Sequence, residues 1–191
     1  MEQPTGDRQL SVLAFPGSLR AGSYNRALLH AAAALAPDRM TIDVYDGLID
    51  IPLFNADFED PEPTGVTALR NALAGVDGVL ISTPEYNQSV PGVLKNVIDW
   101  LSRQRPGLGG VPVAVTGVTT GPWGTRLAQT QLRQMLGSVQ ALVMTHPLLY
   151  LKGATDLFDG AGELTDESTA DRLSRLLIAF GNWIDQVNPD Q

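Results

Sequence analysis

The stretch LSVLAFPGSLRAGSYN, residues 10–25, decides how this chain folds. Leu10 to Phe15 is almost unbroken in apolar side chains and stops at Pro16-Gly17, which predicts a strand buried on both faces. From Tyr24 the pattern changes. Ala27, Leu28, Ala31, Ala32 and Leu35 recur at three- and four-residue spacing until Pro37, which predicts an amphipathic helix. The segment between, Gly17 to Ser23, therefore joins the carboxyl end of a buried strand to the amino end of a helix.

The alternation continues outward from this unit. Strands are predicted at Thr41 to Tyr45, Gly78 to Thr83, Val111 to Val118 and Ala141 to Met144. Helices are predicted at Thr67 to Leu73, Gly92 to Ser102, about Thr125 to Leu136, and Asp166 to Val187. Five apolar strands alternating with five helices imply right-handed crossovers around a parallel sheet covered on both faces. The expected fold is α/β, a flavodoxin-like three-layer fold with a five-stranded parallel sheet in the order 2-1-3-4-5. In that order the winding reverses between the first and third strands, so a ligand crevice is expected outside their carboxyl ends. The loops after Phe15, Thr83 and Val118 meet there. Two further segments, Asp46 to Glu62 and Leu148 to Leu164, read as long loops facing a ligand or a partner.

Composition bounds the function. A chain of 191 residues, 43% hydrophobic and 18% charged, fits one domain over 1–191. Thirteen Lys and Arg against 21 Asp and Glu give a net charge of -8, which argues against a nucleic-acid surface. The chain has no cysteine, so redox chemistry must come from a cofactor and nothing requires an oxidising compartment. Met1 to Leu10 mixes acidic, basic and turn residues, and no apolar run reaches the roughly 18 residues of a membrane span. A soluble, cytoplasmic protein is expected. His30 and His146 have no second imidazole at ligand spacing, so no metal site is assigned. No Gly-x-Ser-x-Gly elbow is present to begin a hydrolase triad.

The first loop offers an anion site. Unpaired backbone N–H groups at a helix amino end favour a phosphate, Ser18 and Ser23 bring hydroxyls, Asn25 an amide, and Arg20 a fork suited to phosphate oxygens. An ordinary helix capped by Ser23 is the plainer alternative. The loop lacks both the Gly-Lys-Ser ending of a Walker loop and the three-glycine dinucleotide fingerprint. The second loop, Pro84-Glu85-Tyr86-Asn87, places an aromatic and an amide where a flat heteroaromatic ring can be met, although Pro, Asn and Ser also make a plain turn. Glu85 has no evident proton to take as a general base. The third loop, Val118 to Gly124, carries Trp123, which can cover a bound ring or pack against a helix.

Taken together, Gly17-Ser18-Leu19-Arg20 with Gly22-Ser23-Tyr24-Asn25, Pro84-Glu85-Tyr86-Asn87, and Pro91-Gly92-Val93-Leu94-Lys95-Asn96 running into Ile98-Asp99-Trp100 resemble the NAD(P)H-dependent FMN reductase family, in particular its soluble bacterial quinone and chromate reductases. The resemblance implies non-covalent FMN as cofactor and NADPH or NADH as hydride donor. It implies reduction of a small acceptor such as a quinone, free flavin, azo compound or chromate. Ser18, Arg20, Ser23 and Asn25 are implied for the phosphate, with Leu19 and Tyr24 contributing to the same loop. Pro84, Glu85, Tyr86 and Asn87 are implied for the ring, and Val118 and Thr119 mainly through backbone. No catalytic side chain is implied, because hydride passes through the flavin N5. Gln88 and Thr120-Gly121-Pro122-Trp123 depart from the family pattern on the substrate side. A non-enzymatic electron carrier of the flavodoxin type is the alternative, favoured by the acidic charge, yet flavodoxins resemble a Thr-rich first loop to which Arg20 is foreign. A flavin-dependent regulatory module on the same fold is a third reading. The resemblance also implies a homodimer or homotetramer. Trp100, at the border of the apolar arc of its helix, and Ile51, Leu53, Phe54 and Phe58 in the Asp46 to Glu62 loop are the expected subunit contacts.

Overall fold

The computed structural model describes residues 8–188; residues 1–7 and 189–191, the ends of the span read as one domain and most of the Met1 to Leu10 segment, lie outside the described residues. The elements run β1 (Leu10–Pro16), α1 (Tyr24–Ala34), β2 (Met40–Val44), α2 (Thr64–Leu73), β3 (Gly78–Ser82) and α3 (Gly92–Leu101). They continue with β4 (Pro112–Val118), α4 (Arg126–Ser138), β5 (Leu142–Val143), β6 (Leu149–Leu151), α5 (Ala154–Leu157) and α6 (Glu167–Val187). The sheet order is β2-β1-β3-β4-β5 and every pairing is parallel, the flavodoxin-like α/β arrangement. Among the described residues no helix is long and apolar enough to cross a membrane.

Alternation along each strand divides the apolar side chains between two cores. Leu10, Val12 and Ala14 of β1 join Leu80 and Ala114 on one face, packed under α1 and α6 through Leu28, Leu29, Leu173, Leu177 and Phe180. Leu13 and Phe15 join Val79, Ile81, Val113 and Val115 on the other, packed under α2, α3 and α4. Both faces are covered, so the strands read as continuous apolar runs rather than as alternating ones.

Where five strands are predicted, the sheet has six, because its last position is filled twice. Leu142 and Val143 pair with Pro112 and Val113, and the edge then bulges before Leu149 to Leu151 pair with Thr116 to Val118. The expected Leu148 to Leu164 loop thus contains β6 and α5; the apolar run Leu148 to Leu151 carries the strand, and its three glycines lie beyond it. Arg133 of α4 fills the gap in the ladder, donating to the Met144 carbonyl at 2.6 Å and the Val115 carbonyl at 3.4 Å. Burial lowers the Arg133 pKa from its ordinary value.

The Asp46 to Glu62 loop is fastened to α3 and does not stand free. Asn96 accepts from the Phe54 N–H at 2.7 Å and donates to the Pro52 carbonyl at 2.9 Å, and the Trp100 indole N–H donates to the same carbonyl at 2.8 Å. Phe54 meets Trp100 edge-on with ring centroids 5.0 Å apart. Trp100, expected at the border as a subunit anchor, is instead 0% exposed, because the loop of its own chain closes over it. Ile51 is buried with it, whereas Ile49, Leu53 and Phe58 stay in solvent.

Below this loop, buried Arg70 ends α3. It donates to the Trp100, Gln104 and Pro106 carbonyls at 2.7, 2.6 and 2.8 Å and pairs with Glu62 at 2.7 Å. The last carbonyls of a helix lack partners within it, and a guanidinium supplies several donors from one direction. Arg70→Met leaves a carboxylate and three carbonyls without that donor and is expected to cost about 3 kcal/mol or more. In a chain of this size such a loss lowers the melting temperature by roughly 6 to 12 °C. Thermal unfolding followed by circular dichroism checks this, and an unchanged midpoint contradicts it.

Candidate active site

The carboxyl ends of β1, β3 and β4 are tied together by one side chain. Asn25, 3% exposed in the first turn of α1, donates to the Val118 carbonyl at 2.9 Å and accepts from the Val118 N–H at 3.0 Å. Its oxygen also accepts from the Ser82 hydroxyl at 2.9 Å. The amide pairs both backbone groups of Val118 as a neighbouring strand would, which fixes the start of α1 against the sheet. Gly17 lets the chain make this turn. A Cβ there would lie 2.8 Å from both Leu94 and Pro84 and 3.0 Å from the Ser82 carbonyl.

The three loops enclose a cleft of about 230 Å³ lined by Ser18, Arg20, Ser23, Tyr24, Asn25, Pro84, Glu85, Tyr86, Val118, Thr119 and Thr120. Leu19, which is exposed, and Asn87 lie outside this lining. Ser23 caps α1, its hydroxyl oxygen accepting from the Arg26 N–H at 3.4 Å. Ser18 accepts from the Arg20 N–H at 3.4 Å and from the Tyr86 hydroxyl at 3.2 Å. Both serines are buried, and both keep an O–H to donate. Arg20 lies over the Tyr24 ring, 5.7 Å from its centroid, and forms no ion pair among the described residues. The first turn of α1 holds no acid.

Several expected contacts have other partners. Asn25, expected at the phosphate, spends most of its amide on Val118 and Ser82. Val118 and Thr119, expected to act mainly through backbone, have their N–H groups engaged: that of Val118 by the Asn25 side chain of α1 and that of Thr119 by the Leu151 carbonyl at 3.1 Å. Glu85 accepts from the Leu127 and Ala128 N–H groups at 2.9 and 3.0 Å and so caps α4 from outside. Asn87 and Gln88 have φ of 52° and 63°, and Tyr86 and Ser89 bond each other on either side, which makes a tight turn of the primed type. Gln88 stands where glycine relieves strain. The turn is held to α4 by Ser89 donating to Gln131 at 2.7 Å and Gln131 donating to the Gln88 carbonyl at 3.0 Å. Trp123 neither covers the cleft nor packs on a helix; it is 84% exposed. Thr120, a lining residue that sequence reasoning missed, had only its place between Thr119 and Gly121 to mark it.

Buried hydroxyls and a guanidinium without an ion pair among the described residues lie at a helix amino end, at the switch point of a doubly wound sheet, a donor set of the kind that suits a phosphate. The chain belongs to the NADPH-dependent FMN reductase family, whose sequence profile matches residues 10–156. A quinone reductase of Escherichia coli strain K12 is 40% identical over 184 residues, covering 94% of this chain and 97% of that one. A 2-hydroxy-1,4-benzoquinone reductase of a Burkholderia species is 36% identical over 177 residues, covering 92% and 96%. Among solved structures, FerB, a flavoenzyme NAD(P)H:(acceptor) oxidoreductase from Paracoccus denitrificans, superposes with a TM-score of 0.84 at 35% identity, covering 93% of this chain and 98% of that one.

Arg20 and Asn25 are separable by experiment. Losing a charge-assisted bond of roughly 1.5 to 3 kcal/mol, Arg20→Ala is expected to raise the FMN dissociation constant by about one to two orders of magnitude. The flavin-free protein should keep its melting temperature. Asn25→Ala strands buried groups of Val118 and Ser82 and is expected to lower stability by about 3 kcal/mol as well as weakening FMN. Flavin fluorescence titration and thermal unfolding of both variants check the pair, and an Arg20→Ala protein binding FMN as tightly as wild type contradicts the assignment.

Proposed function

We propose that this chain binds FMN without a covalent bond, over 1–191 as one domain, and uses it to pass electrons from NADPH or NADH to small acceptors, quinones first among them. The observation that carries the reading is the 230 Å³ cleft, lined at the carboxyl ends of the central strands by Ser18, Ser23 and Arg20, whose guanidinium forms no ion pair among the described residues. The residues fit the group. Their donors match a phosphate, and the half-exposed Tyr86 gives a flat ring a side to lie against.

Bound FMN supplies the chemistry of accepting a hydride from a nicotinamide and returning electrons to an acceptor. The chain positions. Arg20, Ser18 and Ser23 hold the phosphate, and Tyr24 keeps Arg20 in place from beneath. Pro84 and Tyr86 meet the ring, and the bond from the Tyr86 hydroxyl to Ser18 links ring and phosphate loops. Glu85, as the external cap of α4, sets the angle at which this loop leaves β3.

A homodimer or homotetramer belongs to the same proposal, supported by the exposure of Ile49, Leu53 and Phe58 on one segment. The cysteine-free composition supports a cytoplasmic setting.

Two measurements test the reading. Purified protein is expected to show flavin absorption bands and to oxidise NAD(P)H when a quinone is supplied; absence of both defeats it. Donor and acceptor are expected to use one exposed flavin face in turn, giving parallel double-reciprocal lines. Intersecting lines contradict a shared face.

A further inference from the structure

The chain carries a net charge of -8, yet most of the cations that form no ion pair among the described residues follow the carboxyl ends of the strands. Seven of its 13 lysines and arginines form ion pairs among the described residues, and Arg133 is taken up by strand carbonyls. Arg105 lies in the connection from α3 to β4, at the amino edge of the sheet. The other four, Arg20, Arg126, Lys152 and Arg172, form no ion pair among the described residues and follow the carboxyl ends of β1, β4 and β6 or sit early in α6. Arg20 belongs to the phosphate cleft. Lys152 and Arg172 line a second depression, and Arg126 lies against a tyrosine that also lines it.

This depression measures about 460 Å³ and is lined by Trp123, Gly124, Tyr150, Leu151, Lys152, Leu157, Asp166, Ser168, Thr169 and Arg172. Arg126 lies over the Tyr150 ring, 5.6 Å from its centroid, and so adds a positive charge at the rim. One lining acid is present. Asp166 caps α6, accepting from the Thr169 N–H at 2.7 Å, and the bonds from Thr169, with Arg172 beside it, hold its carboxyl below the usual range. The depression adjoins the cleft through a single loop: Thr119 and Thr120 line one, Trp123 and Gly124 the other. From Thr120 to Trp123 the chain spans at most about 11 Å.

We propose that this depression receives the adenosine end of the hydride donor, with adenine stacked on Trp123 and the ribose phosphate that distinguishes NADPH from NADH bound by Lys152 and Arg172. The inference rests on the reading of the chain as an NAD(P)H-oxidising flavoprotein and names the residues that hold the donor's adenosine end. An indole left 84% in solvent beside a cleft is a stacking platform, because a flat base buries its face without needing a matched hydrogen-bond pattern. Exposed Lys152, which forms no ion pair among the described residues, and exposed Arg172, beside an Asp166 that is engaged as a helix cap, suit a dianionic phosphate. A site built for NADH would instead present a free carboxylate to the ribose hydroxyls. Here the one lining carboxylate is engaged as a helix cap. The placement leaves the nicotinamide end of the donor directed toward the cleft through the 119–124 loop.

The test is calorimetric titration of the FMN-loaded protein with adenosine 2′,5′-bisphosphate, adenosine 5′-monophosphate and inorganic phosphate. The bisphosphate is expected to bind more tightly than the monophosphate, and inorganic phosphate more weakly than either. The double variant Lys152→Ala, Arg172→Ala is expected to weaken the bisphosphate by about tenfold or more, the loss of at least one charge-assisted bond. Trp123→Ala is expected to weaken both adenosine probes alike. In steady state, the double variant should raise KM for NADPH about tenfold relative to KM for NADH, the same contact read kinetically. The inference is overturned if the two adenosine probes bind equally, if inorganic phosphate matches the bisphosphate, or if the double variant leaves bisphosphate binding unchanged. Failure of the reading beneath it looks different: the purified protein would then hold no flavin or oxidise neither donor.

Discussion

The pairing of the Asn25 amide with both backbone groups of Val118 is the constraint on which the site depends. A parallel sheet ends in loops that diverge, and nothing in strand pairing alone holds three of them at one point. Asn25 does so by standing in for a strand: it satisfies the last backbone groups of β4, takes the hydroxyl of Ser82 at the end of β3, and sits in the helix that β1 feeds. An unmet backbone group in such a buried position costs roughly 1 to 3 kcal/mol. The three bonds act together, so the crevice is rigid at its floor and open above it. Gly17 and Gly117 complete this floor. A Cβ on Gly117 would come within 2.1 Å of the Thr83 carbonyl, so close approach of β4 to the β3 loop requires its absence.

Outside this floor, polar side chains repeatedly finish what the regular elements leave undone. Arg133 donates to carbonyls that the bulged edge strand does not reach, Arg70 ends α3, and Glu85 starts α4. Each lies far in sequence from the groups it serves, and each joins two elements of the same layer or adjacent layers. The Asp46 to Glu62 loop follows the same logic. Asn96 and Trp100 bind the Pro52 carbonyl, and Phe54 closes over the indole, so a segment with no regular strand or long helix is held by a few directed contacts. Its remaining apolar side chains, Ile49, Leu53 and Phe58, are left for solvent or a second copy.

Charge is distributed unevenly for the same structural reason. Ion pairs such as Arg39 with Asp185 and Arg103 with Glu59 fasten helices and loops, while the edge where strands end keeps Arg20, Arg126, Lys152 and Arg172, which form no ion pair among the described residues. The net charge of -8 does not fix the sign of the field at that edge, because the field near a cleft follows the nearest charges and not the sum.

Much of the fold was legible in the chain itself. The apolar run Leu10 to Phe15, the helical spacing after Tyr24, and four repeats of that alternation determine a doubly wound parallel sheet, because strands covered on both faces and helices with one apolar face can bury their surfaces in few other ways. The order of strands follows from crossover handedness, and with it the edge where a ligand binds. Side-chain roles at that edge were less legible. Ser18, Arg20 and Ser23, proposed for the phosphate, lie within one loop, so their neighbours in sequence are their neighbours in space. Asn25, Glu85 and Trp100 are different: their partners are Val118, Leu127 with Ala128, and Pro52, contacts that only the folded arrangement of distant segments creates. Period and composition report which face of an element is buried, and tertiary structure alone decides which buried polar group meets which.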